Sequence, residues 1–385
     1  MNSILKISVF VIAASFIFSS CDDWTQVEPY FEPETIGFGD GKDEAYYENL
    51  RAFKATMLDR KLSFAWFGYW NATGAYLSNS LSGLPDSMDV ISIWGDTWKD
   101  LDKGGRREDL AYVQKVKGTK VLVCDLIGSI GSGYTPTGVS FEEHWGWEGP
   151  LHLTGTTEKR TTVPTPNQEA IIRKYARLYA EDIIERGFDG YDMDFEIGYG
   201  SSGTLVEYYE RLRVYLDEMS KYFGPKSGTG RLMIMDGAVN NLPSFVARYF
   251  DFFVIQSYNS SGDSDLNTAS PVANRFGAAV STLGSQYATI DSIAERIVMT
   301  ENCEGGRNAT GGRVGYASAL GGSVPSLKGM ALWVPSYAGI SYRRSGGCGV
   351  FHVEYEYGVP ATNGYTGFYP WMREAIQIMN PAAVE

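Results

Sequence analysis

Eight apolar, strand-like runs recur along this chain, and segments with the spacing of amphipathic helices separate several of them. The runs cover residues 62–69, 89–94, 119–126, 190–195, 231–236, 252–257, 296–300 and 328–334. Mostly apolar strands that alternate with helices are typical of a parallel sheet whose outer face is covered. Eight such units favour an α/β fold of the (β/α)8 TIM-barrel type over a doubly wound sheet. No glycine-rich phosphate-binding motif follows an early run, which supports the same choice.

The remaining segments fit a single catalytic domain over residues 44–385. The clearest helical spacing lies at 167–186 and 205–223, and shorter candidates lie at 44–58, 106–117, 242–250, 289–296 and 371–379. Long segments at 128–166 and 335–369 are predicted to be loops on the C-terminal face of the strands. Barrels of this type form their active sites on that face, so we expect the functional residues at the strand ends there.

The N-terminal residues 1–20 are typical of a signal peptide and are excluded from the fold. The apolar run at 7–18 is too short to span a bilayer, and two serines follow it directly before Cys21. This arrangement resembles a bacterial lipoprotein signal, which predicts a lipid anchor on Cys21 and a tether over 21–43. The alternative is an ordinary secretory signal that contains a cysteine. Two aspartates after Cys21 resemble the export tag of surface-exposed lipoproteins, so we expect an outer-membrane lipoprotein on the cell surface.

Charge and cysteine spacing exclude several classes of site. The net charge of −13 and the lack of a basic stripe argue against nucleic-acid binding. None of the cysteines has the spacing of a metal site, and the chemistry considered below needs no cofactor, so we expect neither a metal nor a cofactor. Cys124 lies in an apolar run and is expected to be buried. A disulfide between Cys303 and Cys348 remains open, and we expect the protein to act as a monomer.

The fourth strand-like run carries an unusual density of acids. With the two-residue period of a strand, Asp192, Asp194 and Glu196 point to one face, and Asp189 is out of phase with them. A desolvated carboxylate costs several kcal/mol unless it is paired or kept neutral. Acids stacked along one strand therefore force their pKa values apart, so that one can hold a proton while its neighbours ionise. Such an arrangement indicates acid–base catalysis.

This segment, DGYDMDFE ending at Glu196, resembles the DGxDxDxE signature of glycoside hydrolase family 18, which also lies on the fourth barrel strand. The resemblance implies a retaining hydrolase that uses the substrate's own 2-acetamido group as nucleophile. Glu196 would be the general acid and then the base, and Asp194 would orient the acetamido N–H. Asp192 would share a proton or a hydrogen bond with Asp194. Asp189 and Gly190 would maintain the local geometry of the motif.

Positions on later strands extend the resemblance to one branch of the family. Tyr258 matches a tyrosine that would bond the acetamido carbonyl, and Trp333 resembles a tryptophan that floors the acetamido pocket. Gln256 and Asn259 stand where chitinases of the family show methionine and aspartate. Glutamine there resembles the endo-β-N-acetylglucosaminidase branch, which cuts the chitobiose core of N-linked glycans, so we expect an N-glycan or glycoprotein substrate. The alternatives are a chitinase-like hydrolase of chitooligosaccharides and a non-catalytic glycan-binding lipoprotein.

Aromatic residues around the predicted site leave two interpretations open. Flat rings at strand ends would suit stacking on sugars, and core packing is the alternative for each of them. The rings at or beyond strand ends are Trp70, Trp94 and Trp98, and the loop 128–166 adds Trp145 and Trp147 beside His144. The sequence does not distinguish high-mannose, hybrid and complex glycans, because loop shape decides that specificity.

Overall fold

The computed structural model describes residues 41–74, 76–197, 202–360, 362–365 and 367–381. The predicted signal peptide and Cys21, the predicted site of the lipid, lie outside the described residues, as does nearly all of the predicted tether.

Eight parallel strands close into a barrel, which confirms the predicted (β/α)8 architecture. Strands that follow one another in the chain are neighbours in the barrel, and the eighth strand closes it against the first. Side chains alternate between the barrel interior and the surrounding helical layer, so every strand contributes to two apolar cores except β4, whose inward side chains include Asp192 and Asp194. The strands are β1 (Leu62–Phe67), β2 (Val90–Ile93), β3 (Lys120–Leu126), β4 (Gly190–Phe195), β5 (Leu232–Gly237), β6 (Phe252–Gln256), β7 (Ile297–Asn302) and β8 (Gly347–Phe351).

Helices cover the outside of the barrel and fill its loops. They are α1 (Glu44–Lys54), α2 (Arg106–Lys115), α3 (Phe141–Trp145), α4 (Thr156–Thr161), α5 (Pro166–Glu185), α6 (Tyr209–Met219), α7 (Asp263–Leu266), α8 (Phe276–Leu283), α9 (Ile290–Ala294), α10 (Ser326–Leu332) and α11 (Pro370–Met379). The region 242–250, predicted to be helical, holds only the 3-10 turn Ser244–Arg248.

The long helix α5, which leads into β4, begins with a strong local signal. Thr165 and Gln168 form a reciprocal capping box, and Pro166 occupies the first helical position. The apolar stripe that includes Ile172, Ala176 and Ile183 is buried against the barrel and α6. Helix and cap together fix where the chain enters the acidic strand.

The eighth strand lies later in the chain than the sequence pattern predicts. Residues 328–334 belong largely to α10, whose apolar side chains are buried in the outer layer beside α11 rather than in the barrel wall. The strand is β8, inside the segment predicted to be a loop. A Cβ on Gly349 would lie 2.2 Å from the carbonyl oxygen of Phe64 on β1, so close packing demands a glycine. The glycines that allow this contact hide the strand in the sequence.

The cysteines that the structure describes are free thiols. Cys303 and Cys348 are both free and buried, so no disulfide joins them. Cys124 is buried as predicted. In the part of the chain that the structure describes, no helix combines the length and apolar character needed to cross a membrane.

Candidate active site

The acids of β4 meet at the C-terminal mouth of the barrel. Asp192 and Asp194 are almost fully buried in the interior, whereas Glu196 follows the end of the strand and is half-buried at the rim. Glu196 lines a cavity of about 380 Å³ together with Gln256, Tyr258 and residues of the loop 272–275. The alternation of the strand therefore sends two acids inward and places the third at the cavity.

Asp192 is held by two donors from neighbouring strands. Its Oδ2 accepts hydrogen bonds from Trp66 Nε1 at 3.0 Å and from Ser92 Oγ at 2.6 Å. Burial raises the pKa of Asp192 to about 6, although these donors favour the ionised form. Asp192 is thus fixed on one side and is left with one oxygen for a further partner.

A third buried carboxyl, Asp236 on β5, escaped the sequence analysis. It pairs in register with Asp194, and only 1 % of its surface is exposed. Gln256 Nε2 donates to its Oδ1 at 3.1 Å, and the Cys124 thiol lies 3.7 Å from its Oδ2. The available signal was an acid that ends the otherwise apolar run 231–236, on the strand next to the motif.

Burial without a counter-ion dominates the electrostatics of these acids. Among the residues that the structure describes, no lysine or arginine forms an ion pair with Asp192, Asp194 or Asp236. Burial and the nearby Glu196 raise the pKa of Asp194 to about 8. Burial, Asp194 and Asp192 raise the pKa of Asp236 well above its usual range. The cluster therefore holds protons near neutral pH.

The same acids do not form a convincing metal site. Single ligand atoms of Cys124, Asp194 and Asp236 lie within 4.8 Å of one another. Burial and the surrounding carboxylates raise the pKa of the Cys124 thiol, however, and a metal binds the thiolate. The chemistry of the donor set thus favours protons over a cation as the source of neutralisation.

An aromatic cluster packs against Tyr258, which lines the cavity. The Tyr258 ring stacks on Phe351, with centroids 6.1 Å apart and an angle of 26° between the planes. Phe351 ends β8 and also contacts Trp66 and Trp94 edge to face. Phe351 was not predicted as a site residue, because the sequence pattern placed the eighth strand at 328–334.

Two predicted site residues lie away from this cavity. The placement of Trp333 on the eighth strand is wrong: it follows α10, is fully buried, and donates from Nε1 to Asn267 at 3.2 Å. Asn259 is exposed, and its backbone N–H donates to Glu301 at 2.9 Å. Neither residue is among those that line the cavity.

The start of the motif lies at the opposite end of β4. Asp189 Oδ2 accepts from the Val121 backbone N–H at 3.0 Å and from Gln114 at 2.7 Å. A Cβ on Gly190 would lie 2.3 Å from the Leu232 carbonyl oxygen. Both residues thus join β4 to its neighbouring strands at the N-terminal end, far along the strand from Glu196.

Most of the tryptophans in question pack into the protein. Trp70 and Trp98 are buried, and Trp70 Nε1 donates to Asp109 at 2.8 Å. Trp145 and Trp147 are buried in their loop, whereas His144 is exposed. Of the predicted strand-end tryptophans other than Trp333, only Trp94 stays partly exposed, at the rim next to Phe351.

The arrangement suits chemistry on a neutral polar substrate. A half-buried carboxyl at the cavity can exchange a proton with a bound molecule, and the buried acids behind it can stabilise positive charge. Tyr258 brings a hydroxyl to the same cavity, and its burial and the acids raise its pKa, so it stays protonated as a donor.

Known proteins share both the sequence pattern and this architecture. The family model for glycoside hydrolase family 18, BT1044-like, matches residues 28–378. A solved glutamate-to-glutamine variant of BT1044 has a TM-score of 0.65 and 25% identity, covering 88% of this chain and 95% of that chain. An endo-β-N-acetylglucosaminidase from Cordyceps militaris shares the fold, with a TM-score of 0.55 and 19% identity over 94% of this chain and 100% of that chain.

Endo-β-N-acetylglucosaminidase F2 from Elizabethkingia meningoseptica is 25% identical over 224 residues. The match covers 55% of this chain and 55% of that protein, so it spans about half the length of the curated relative. Since the family description covers most of the chain, the protein belongs to glycoside hydrolase family 18, in its BT1044-like group.

Proposed function

We propose that this protein is an endo-β-N-acetylglucosaminidase that hydrolyses the chitobiose core of N-linked glycans with retention of configuration. The observation that carries the proposal is the placement of Glu196 and Tyr258 on one cavity directly above the buried Asp194. This arrangement supplies an acid for the leaving group, a hydroxyl for the acetamido carbonyl and a carboxyl for the acetamido N–H.

The proposed reaction proceeds in two steps through the substrate's own acetamido group. Glu196 donates a proton to the glycosidic oxygen while the acetamido oxygen attacks the anomeric carbon. Asp194 accepts a hydrogen bond from the acetamido N–H and stabilises the oxazolinium that forms. Glu196, now a carboxylate, then takes a proton from water as the water opens the oxazolinium.

Gln256 supports an N-glycan core over chitin as the substrate. Its side chain lines the cavity and donates to Asp236, so it has a defined polar role where a methionine could only pack. The partial match to endo-β-N-acetylglucosaminidase F2 supports the same branch. A chitinase-like specificity is the competing outcome of the test.

The test is a mass profile of the glycans released from three substrates: a high-mannose glycoprotein, a complex-type glycoprotein and chitin oligomers. We expect glycans that carry one N-acetylglucosamine at their reducing end, and one N-acetylglucosamine left on the protein. Cleavage of chitin oligomers alone would assign the chitinase-like activity instead. The Glu196→Gln variant is the control and should release no glycan. Binding without release by the native protein would instead indicate a glycan-binding protein.

We also propose that the enzyme is a lipoprotein anchored through Cys21 to the outer membrane and exposed at the cell surface. Support comes from the sequence alone, in the short apolar run followed by a cysteine and two aspartates. Metabolic labelling with a fatty-acid analogue should mark the native protein and not the Cys21→Ser variant. Equal labelling of the two, or native protein in the soluble periplasmic fraction, would refute the anchor.

A further inference from the structure

Three carboxyls, rather than the two of the motif, share the space behind Glu196. Asp236 stands beside Asp194 in the register of β4 and β5, and one oxygen of each lies within 4.8 Å of the other and of Cys124 Sγ. Asp236 is close enough to affect the pKa values of both Asp194 and Asp192. Asp236 thus connects the two motif acids from a different strand.

The hydrogen-bond donors in this cluster define which acid carries a proton. Asp192 Oδ1 and Asp194 Oδ1 are buried, and neither receives a hydrogen bond from a permanent N–H or O–H donor in the described structure. The two oxygens of Asp236, in contrast, face the Gln256 amide and the Cys124 thiol. A carboxyl proton on Asp236 is the donor that remains for the motif acids.

The backbone leaves room for this contact. Gly237 has φ +94°, and a Cβ there would lie 3.1 Å from Asp194 Oδ1 and 2.5 Å from the Phe195 carbonyl oxygen. A glycine directly after Asp236 therefore allows the Asp194 carboxyl to sit against β5. Gln256 approaches from the other side and fixes the Asp236 carboxyl.

We propose that Asp236 is a positioning residue, which keeps one proton and donates a hydrogen bond to Asp194, so that Asp194 is fixed as the acceptor of the acetamido N–H. The proposal rests on the proposed function. No proton is transferred within this cluster. The carboxyl proton stays on Asp236, and the amide hydrogen stays on the substrate nitrogen. The contact with Asp236 favours the ionised form of Asp194, so that the positive charge of the oxazolinium faces a carboxylate. Gln256 acts one step further out, by orienting Asp236.

The groups around Asp236 favour neutralisation of its carboxyl by a proton. The titratable groups that face it are Cys124 from β3, Asp192, Asp194 and Glu196 from β4, and Tyr258 beyond the end of β6. All of them are neutral or negative, and burial excludes water. Ionisation of Asp236 would place two carboxylates side by side and break the hydrogen bond to Asp194.

The first experiment compares Asp236→Asn with Asp236→Leu on an N-glycopeptide. An asparagine keeps an N–H donor for Asp194, whereas a leucine of similar size removes it. We expect Asp236→Asn to keep kcat within about 5-fold of native, and Asp236→Leu to lower kcat about 10- to 100-fold with KM within 3-fold. Equal kcat values for Asp236→Leu and the native enzyme would overturn the proposal.

The second experiment isolates the cluster from the general acid by placing both enzymes in a Glu196→Gln background. The substrate is an aryl glycoside whose activated leaving group departs without protonation, and the readout is the single-turnover release of the aryl alcohol. With Asp236 present the rate should fall at alkaline pH as Asp236 loses its proton, whereas with Asp236→Asn this alkaline fall should be absent. Identical pH profiles would contradict the shared proton.

These outcomes separate the inference from the function on which it rests. If the native enzyme releases no product from any N-acetylglucosaminide, the proposed function fails. Melting temperatures still test the cluster in that case, because Asp236→Asn removes an acid that stays protonated in the folded protein but ionises in the unfolded chain. Its melting temperature should fall less than that of the native protein between pH 5 and pH 8, and an equal fall would refute the buried proton.

Discussion

The two ends of the barrel neutralise their buried acids in opposite ways. At the N-terminal end, Asp86 is 2 % exposed and lies 2.6 Å from both Lys42 and Lys117. Burial would raise its pKa, but the two lysines hold it well below its usual range. At the C-terminal end, Asp194 is just as buried and has no such cation among the described residues, and its pKa is raised.

The difference teaches which acids serve the fold and which serve the reaction. A carboxylate paired with cations has a fixed charge and can only hold neighbouring segments together. A buried acid that relies on protons can change its charge when a substrate arrives. Asp89, which accepts two hydrogen bonds from Arg60 at 2.6 and 2.9 Å, belongs to the first group. The predictions below test this division.

The largest effect is expected at the rim of the C-terminal end. Glu196→Gln removes the proton donor and keeps the shape of the side chain, so kcat should fall by about 10³- to 10⁴-fold. Glycan binding should persist, because the cavity walls are unchanged. Calorimetry with a glycopeptide and a rate assay measure the two quantities separately. Near-normal turnover would refute the assignment of the acid.

At the N-terminal end, a change of similar size is expected in the free energy of unfolding rather than in the rate of reaction. Asp86→Asn leaves Lys117, whose side chain is 7 % exposed, without its carboxylate partner. Loss of one member of a buried pair costs about 3 to 5 kcal/mol of unfolding free energy. Urea denaturation should show this loss, whereas kcat of the folded enzyme should stay within 2-fold of native. A large loss of kcat would mean that the two ends are coupled.

The same substitution at the other end should give the reverse pattern. Asp194→Asn removes the carboxylate charge that stabilises the oxazolinium, so kcat should fall about 100-fold with little change in KM. Stability should be equal to that of native or higher at pH 8, because a buried acid without a cation is gone. A change confined to KM, or a loss of stability as large as that of Asp86→Asn, would remove the distinction between the two ends.

Local patterns explain what the sequence predicted correctly. The two-residue period of β4 placed Asp192 and Asp194 on one face, because alternation depends only on neighbouring residues. The recurrence of apolar runs and helices predicted the barrel for the same reason. The spacing that predicted α5 was equally local, since it repeats every three to four residues.

Non-local packing explains what the sequence could not predict. Gly349 belongs to a strand only because β1 passes within van der Waals contact of it, and that contact cannot be read from the segment itself. Because the eighth strand was predicted at 328–334, Trp333 was wrongly placed at the site and Phe351 was not predicted there. Asp236 was visible as an acid at the end of an apolar run, but the register that sets it beside Asp194 is a property of the closed barrel.

Another buried acid, Glu356, sharpens the comparison, because backbone N–H groups bind it and burial outweighs the effect of Arg373 on its pKa. It accepts backbone N–H bonds from Trp371 and Met372 in the first turn of α11, and burial still raises its pKa to about 7. Its folded-state pKa exceeds the unfolded value of about 4.3, so the folded state binds the proton more tightly. The stability that results is present below pH 4 and is lost as pH rises through 7.

The native protein should therefore lose about 2 to 3 kcal/mol of unfolding free energy between pH 5 and pH 8 that Glu356→Gln does not lose. A glutamine oxygen can still accept the two N–H bonds, so this variant isolates the charge from the cap. Glu374→Gln is the matched control, because Glu374 pairs with Lys328, and its difference from native should not shrink as pH rises. Urea denaturation at the two pH values measures both. If Glu356→Gln instead lost stability relative to native as pH rose, a helix N-terminus would neutralise a buried acid as well as a lysine does. The division between cation-paired and proton-dependent acids would then need a third class.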